Sequence, residues 1–199
     1  MPADSTELAA LLGSRICHDL ISPLGAIGNG LELLELGGVP QSPEMSLIAQ
    51  SVSHANARIR FFRIAFGMAV PDATLARNDL ARIIDESFGG SRIGVIWEPR
   101  ENLPRMDVKL AFLALMCLEG AMPYGGEIRA MRGPAGWRVV ARAEKFRIRM
   151  QLWQALTDPH AEVPLTPADV HFGLLRELGS AHRPALAAEI TEGAIEVRF

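Results

Sequence analysis

The sequence predicts an α + α/β protein: an N-terminal helical hairpin that pairs with a second copy into a four-helix bundle, followed by an α/β sandwich. Three observations predict it. Apolar residues recur at spacings of three and four over two long stretches separated by a glycine-containing turn. The stretch 71–74 interrupts that pattern with a proline. Beyond it, short strand-like and helix-like segments take turns to the end of the chain.

The first helix opens at the cap candidates Asp4 and Ser5 and closes at Gly37 and Gly38. Within it Leu20, Leu24, Ile27, Leu31 and Leu34 form one stripe. A turn at 39–42 leads to Pro43, a residue suited to a first helical position, and the second helix runs to about Phe66 before Gly67. There Met45, Ile48, Val52, Ala55, Ile59, Phe62 and Phe66 make a second stripe. One hairpin cannot shield both. Either a second hairpin covers them, giving a homodimeric bundle, or the chain's own second half does; the homodimer is the expectation.

With 71–74 as linker, residues 1–73 form the hairpin domain and 74–199 the α/β domain. The patterns predict a helix at 78–88, a strand at 92–97, a helix at 107–122, and strands at 127–131 and 137–143 joined by a turn at 134–136. Residues 146–156 read equally as strand or helix. A helix follows at 166–178, with Thr166 as cap and Pro167 first, and strands at 187–190 and 194–199 close the sheet.

The composition excludes several functions. The chain has 199 residues, 49% hydrophobic and 22% charged, as folded soluble proteins do. Its longest apolar runs, such as 110–118, fall far short of the ~20 residues that span a bilayer, and the N-terminus has no signal-peptide pattern, so a cytoplasmic protein without membrane attachment is expected. A net charge of -3 gives no general attraction to nucleic acid. Cys17 and Cys117 suit reduced thiols, with no metal-binding spacing. Eighteen of the 20 basic residues are arginine, which fits bidentate recognition of carboxylates and phosphates and equally a GC-rich genome.

With His18 set at zero on a helical wheel of ~100° per residue, the leucine stripe of the first helix lies between about 160° and about 240°. His18 therefore points away from it. On the same wheel Arg15 falls at about 60°, Ser22 at about 40°, Asn29 at about 20° and Gly25 at about 340°. The exposed face thus carries an imidazole, a hydroxyl, an amide, a guanidinium and a gap at Gly25 through which another backbone could approach. A neutral imidazole is nucleophilic near pH 7, and Asp19 beside it could hold one ring nitrogen and favour the nucleophilic tautomer. By periodicity alone, such a histidine is also compatible with a plain solvated residue.

The run SRICHDLISPLGAIGNGLELL, residues 14–34, resembles the phosphoacceptor box of sensor histidine kinases through His18, Asp19, Leu20, Pro23 and Leu24. Its longer form, with Gly25, Ala26 and Ile27 and then Asn29 and Gly30 before Leu31, resembles the ChpT-type histidine phosphotransferases of alphaproteobacteria. The resemblance is specific over this run and extends more loosely, through domain order, to the whole chain. It implies a phosphorelay protein that accepts a phosphoryl group on His18 from the receiver domain of a hybrid histidine kinase and passes it to response regulators. It also explains Pro23, since a kink beside the reactive histidine is a feature of the family whereas helix interiors normally exclude proline at a cost of ~3 kcal/mol.

The same resemblance implies that 74–199 is a degenerate histidine-kinase-type ATPase domain. The helix 107–122 is similar to the kinase segment bearing a magnesium-binding asparagine motif, but Leu113 and Cys117 stand at the matching positions and no asparagine follows Asn102. No glycine loop of the phosphate-binding kind occurs in the second half, and residues 171–182 keep only an echo of one. The expectation is that no cofactor binds stably and that Mg²⁺ comes with the partner receiver. Ser22 and Asn29 would hydrogen-bond to that partner, Gly25 would admit it, and Arg15 would pair with its carboxylates or phosphate. His54, His160, His171 and His182 carry no such pattern, and Arg58, Arg60 and Arg63 form either a solvated face or a contact for an acidic rim. The alternatives are an ATP-dependent sensor-type kinase with a divergent nucleotide site and a non-enzymatic scaffold that binds receivers.

Overall fold

The computed structural model describes residues 5–158, 160–161, 163–180 and 185–199. The cap candidate Asp4 and His182 lie outside them. The chain begins with α1 (Ser5–Leu36) and α2 (Pro43–Ala65), a hairpin with the expected limits. Gly38, at φ +78°, closes α1, and the amides of Gly38 and Val39 reach back to the carbonyls of Glu35 and Leu34. Ser42 caps α2, its Oγ accepting from the Met45 amide at 3.2 Å, with Pro43 at the first helical position.

After the hairpin come β1 (Thr74–Leu75), α3 (Arg77–Phe88), β2 (Ile93–Trp97), β3 (Leu103–Pro104), α4 (Arg105–Ala121), β4 (Gly126–Gly133) and β5 (Gly136–Arg142). Then follow α5 (Met150–Thr157), a 3₁₀ turn (Pro167–Asp169), α6 (Val170–Ser180), β6 (Ala187–Thr191) and β7 (Ala194–Arg198). The main sheet has the order β2-β4-β5-β7-β6; β2 and β4 run parallel, joined by the α4 crossover, and every other pair is antiparallel. One sheet face presents Ile128, Ala130, Trp137, Val139, Ile195 and Val197 to the helices. The other is a lattice of ion pairs, among them Arg138 with Glu196 and Arg129 with Glu98.

Three local expectations change. The ambiguous stretch 146–156 resolves into a loop and then α5. Thr166 precedes a 3₁₀ turn and makes no side-chain cap; its hydroxyl donates to the buried Asp169 carboxylate at 2.6 Å instead. The small pair β1–β3, Thr74 with Pro104 and Leu75 with Leu103, has no signature in the sequence because two residues carry no periodicity.

The core does not stop at the 71–74 linker. Phe61, Ile64 and Ala65 of α2 are buried with Leu80, Ile84, Phe88 and the apolar residues of α4 in one continuous cluster. Phe61 stacks on Phe112 with ring centroids 4.3 Å apart, and Phe88 meets it edge-on at 5.7 Å. Arg58 and Arg60 do not form a plain solvated face: Arg58 binds both carboxylate oxygens of Glu119 on α4 while lying over the rings of Phe61, Phe62 and Phe88, and Arg60 pairs with Glu86 on α3.

Polar groups complete the joint. The carbonyls in and just beyond the last turn of α2 need donors, and α4 supplies them: Lys109 Nζ donates to Gly67 O at 2.6 Å, and Arg105 donates to Met68 O at 2.8 Å and Arg63 O at 3.2 Å. Lys109 is only 4% exposed, and burial followed by the nearby Arg105 charge lowers its pKa. Gly67 is obligatory, because a Cβ there would stand 2.3 Å from the Arg63 carbonyl oxygen.

The stripes divide between two surroundings. On α2, Val52 and Ile59 are buried, Ala55, Phe62 and Phe66 half-buried, and Ile48 exposed. On α1, Leu24 and Leu31 are half-buried and Cys17 is buried, while Leu20 (46%), Ile27 (48%) and Leu34 (46%) remain exposed. Ile16 joins them, at about 160° on the His18 wheel, so an apolar band between about 160° and about 200° is uncovered by the chain itself.

Phe61→Ala should cost about 3–5 kcal/mol and should lower the unfolding midpoint of the whole chain in one transition, since hairpin and sheet share this core. Urea unfolding followed by both tryptophan fluorescence and helical circular dichroism checks this; two separate transitions in the wild-type chain would show the halves to be independent. A second expectation concerns His171, buried on α6 with Nε2 unpartnered among the described residues. Burial lowers its pKa to about 4 against an ordinary 6.5, with Asp169 opposing the shift. The unfolded chain therefore takes up this proton first as pH falls, so the stabilisation is complete above about pH 6.5 and declines toward pH 4. Between pH 7 and pH 5 the wild type should lose about 2 kcal/mol more than His171→Leu. Equal losses in paired urea titrations would clear His171.

Candidate functional site

His18 sits halfway along α1, its side chain 81% exposed. Its Nδ1 lies 3.0 Å from Asp19 Oδ1, and the second Asp19 oxygen accepts from Arg15 Nε at 2.7 Å. These two hydrogen bonds, His18 first and Arg15 second, lower the Asp19 pKa, so the carboxylate stays an acceptor. A carboxylate on Nδ1 fixes the proton there and leaves Nε2 as the open lone pair toward solvent.

The other expected residues fall on the same face. Ser22 and Asn29 are exposed, and a Cβ built on Gly25 would meet nothing within 4 Å, so the gap opens outward. From His18 to Asn29 the strip extends about 16 Å along the axis at about 1.5 Å per residue. Pro23 lies between them along the axis, about 140° round from His18, and the helix continues through it. Having no N–H, Pro23 cannot bond the Asp19 carbonyl one turn back, so that acceptor beside His18 lacks its regular helical donor.

In the free chain Arg15 pairs with Asp19 while its side chain stays largely exposed. The turn before His18 is anchored on its other side. Ser14 Oγ accepts from the Met68 amide at 3.1 Å, and a Cβ on Gly13 would come within 3.2 Å of Phe66. Cys17 is buried at the α2 interface, where burial raises its thiol pKa against the pull of Arg63; it is an inert thiol.

The sequence reading missed the anchors Ser14, Arg105 and Lys109. A signal for two of them exists: two cations four residues apart open α4, where the helix dipole disfavours positive charge, so they need acceptors elsewhere. Those acceptors are the carbonyls at and just after the end of α2.

In the α/β part, Leu113 and Cys117 are fully buried in the apolar core, and burial holds the Cys117 thiol well above its ordinary pKa. Neither offers an oxygen to a hard cation. The glycines of α6 serve packing: Gly173 lies against Leu165 and Gly179 against Leu186. Beside the start of α6 the Asp169 carboxylate is taken up by both terminal nitrogens of Arg149 and by Thr166. Among the described residues no cluster of three or more His, Cys, Asp or Glu side chains could hold a metal ion, and no helix is long and apolar enough to cross a membrane.

Residues 77–194 match the family model described as the histidine phosphotransferase C-terminal domain. The chain is 45% identical to the protein phosphotransferase ChpT of Brucella abortus (strain 2308) over 124 residues, 61% of this chain and 59% of that protein. The match thus spans less than two thirds of that curated relative's length. A solved bacterial phosphotransferase superposes with a TM-score of 0.66 at 30% identity, covering 99% of this chain and 97% of the other. The histidine kinase AdeS of Acinetobacter baumannii gives 0.43 at 11% identity, over 90% of this chain and 94% of that one. With the family model covering more than half of its residues, this chain belongs to the histidine phosphotransferase family.

Proposed function

We propose that the chain is a histidine phosphotransferase working as a phosphorelay intermediate in the cytoplasm. His18 takes a phosphoryl group from the aspartyl phosphate of a receiver domain, such as that of a hybrid histidine kinase, and passes it to response regulators. One observation carries this reading: an exposed imidazole whose Nδ1 is held by a carboxylate while Nε2 faces solvent on an open polar strip. Family membership and the 45% identity to a protein phosphotransferase support it.

In this reading Nε2 attacks phosphorus in line with the departing aspartate, and Asp19 stabilises the charge that develops on the ring. Ser22 and Asn29 donate hydrogen bonds to the docked receiver, and Gly25 lets its backbone approach. The chain holds no cofactor of its own; the receiver's acidic pocket brings Mg²⁺. The sealed surroundings of Leu113 and Cys117 favour this over ATP-dependent autophosphorylation. The chain acts as a homodimer, in which the band of Leu20, Ile27 and Leu34 meets its symmetry mate and completes a four-helix bundle. The band lies opposite His18, so bundle formation leaves both histidines accessible. Hairpin and α/β layer then divide the work, the first carrying the dimer and the phosphohistidine, the second flanking the docked receiver.

Incubation with a ³²P-phosphorylated receiver should label the wild-type chain and leave His18→Ala unlabelled, with the variant's circular dichroism unchanged because the side chain is exposed. Labelled ATP in place of the receiver should give no product. Label on the alanine variant would move the site, and label from ATP would revive the kinase reading.

Ile27→Asp tests the bundle cleanly, since the residue is half exposed within one chain and a carboxylate there burdens only the assembled form. An unpaired charge buried at the seam is expected to cost about 3–5 kcal/mol, enough to shift a micromolar dimer to monomer in light scattering. A variant that stays dimeric would place the interface elsewhere. Ile59 is not a suitable probe, because it is already buried within the chain.

A further inference from the structure

We propose that Arg15 is a positioning residue for transfer at His18: it clamps the Asp19 carboxylate so that the carboxylate holds the imidazole Nδ1–H. This rests on the reading of His18 as the phosphoryl carrier and deepens it. The carboxylate is divided, one oxygen to each neighbour, at 2.7 Å from Arg15 Nε and 3.0 Å from His18 Nδ1.

Helix geometry explains why a clamp is needed. His18 and Asp19 are consecutive and diverge by about 100° around the axis, so the carboxylate reaches the ring only when turned back along the circumference. An exposed aspartate left to itself has other staggered rotamers that face water. Arg15 stands one turn before Asp19 and three residues before His18, on the side where the carboxylate must lie to touch the ring. Its Nε–H holds one oxygen and thereby aims the other. The pair is exposed, as a surface i,i+4 pair is, and such a pair adds little to folding stability. Its consequence is therefore local: the rotamer of Asp19 and, through it, the tautomer of His18. The guanidinium also offsets the Asp19 charge, which would otherwise stand beside the nucleophile and repel an anionic phosphoryl group.

The step balances without moving a proton. The Nε2 lone pair forms the N–P bond, the acyl phosphate P–O bond breaks, and its electrons leave with the receiver's aspartate as a carboxylate. The ring keeps its Nδ1 proton and becomes a phosphorylated imidazolium whose positive charge faces Asp19. Donation to the next receiver reverses these bonds, and the same clamp serves both directions.

A double-mutant cycle in the full-length chain tests this, using a phosphorylated receiver under single-turnover conditions. Arg15→Met, which keeps the apolar stem, should lower the maximal transfer rate about tenfold while leaving the half-saturating receiver concentration unchanged. Arg15→Lys should restore most of that rate. In an Asp19→Asn background Arg15→Met should change the rate by less than about twofold, because an amide held by Arg15 through its oxygen has no second acceptor to turn to the Nδ1–H. In the free protein, ¹⁵N NMR should find the His18 proton on Nδ1 in the wild type and shifted toward Nε2 in Arg15→Met. An undiminished rate in Arg15→Met, a raised half-saturation at full rate, or an equal loss in the Asp19→Asn background would overturn the proposal; the last two would give Arg15 to the partner. A wild-type chain that accepts no label from any receiver would instead sink the reading of His18 itself, and the NMR arm would still decide the clamp.

Discussion

The seating of the last turns of α2 on α4 is the constraint on which the remaining geometry depends. An apolar contact and a polar one coincide there: Phe61 stacked on Phe112, and the carbonyls of residues 63, 67 and 68 bound by Arg105 and Lys109. Neither would suffice alone. Buried carbonyls without donors would cost more than the ring stack stabilises, and a buried lysine without acceptors would lose its proton. Together they fix the axis of α2 against the sheet layer. Because Ser14 and Gly13 lie against the residues that follow α2, they also fix the turn of α1 that precedes His18.

That joint gives α2 two working faces instead of one. Val52 and Ile59 are buried on the stripe that faces α1, with Val52 against Gly28, while Ala57, Phe61, Ile64 and Ala65 on the other side are buried toward the α/β layer, and Phe62 and the following Phe66 pack against the edge of the same core. A helix with a single apolar stripe could be peeled from the sheet without disturbing its hairpin partner. This one cannot, and the 71–74 linker therefore separates two patterns of sequence without separating two cores.

The difference explains what could be read from the sequence. Element identities followed from period and punctuation: Gly38 ending α1, Pro43 starting α2, and residues 134–136 turning β4 into β5 all act locally. The face of His18 followed from the same arithmetic, since an angle on a helix needs no knowledge of neighbours. What escaped depends on neighbours. Phe61, Ile64 and Ala65 lie off the stripe being traced, so a search for one seam passes over a second. Arg58 and Arg60 look like a solvated row until the acids of α3 and α4 stand opposite them. The angle of Arg15 on the wheel points outward, and only the placed Asp19 side chain turns it back.

Exposure around His18 acquires a different meaning beside this rigid frame. A phosphoryl carrier has to present the same nitrogen to at least two partners, so it gains little from a deep pocket that would fit only one. What it requires is a fixed direction for the lone pair and a backbone that does not shift when a partner arrives. The first comes from groups within one turn of α1, and the second from the anchored turn at Ser14 and the joint behind it. The uncovered apolar band lies on the opposite side of the same helix, so the dimer and the docked receiver we propose would not compete for surface. With the imidazole, the carboxylate that meets it and the uncovered apolar band all on one helix, a short stretch of sequence specifies all three. A helix of this kind tolerates Pro23 because its neighbours hold it on either side: α2 through Gly28 and Val52, and the anchored residues through Gly13 and Ser14.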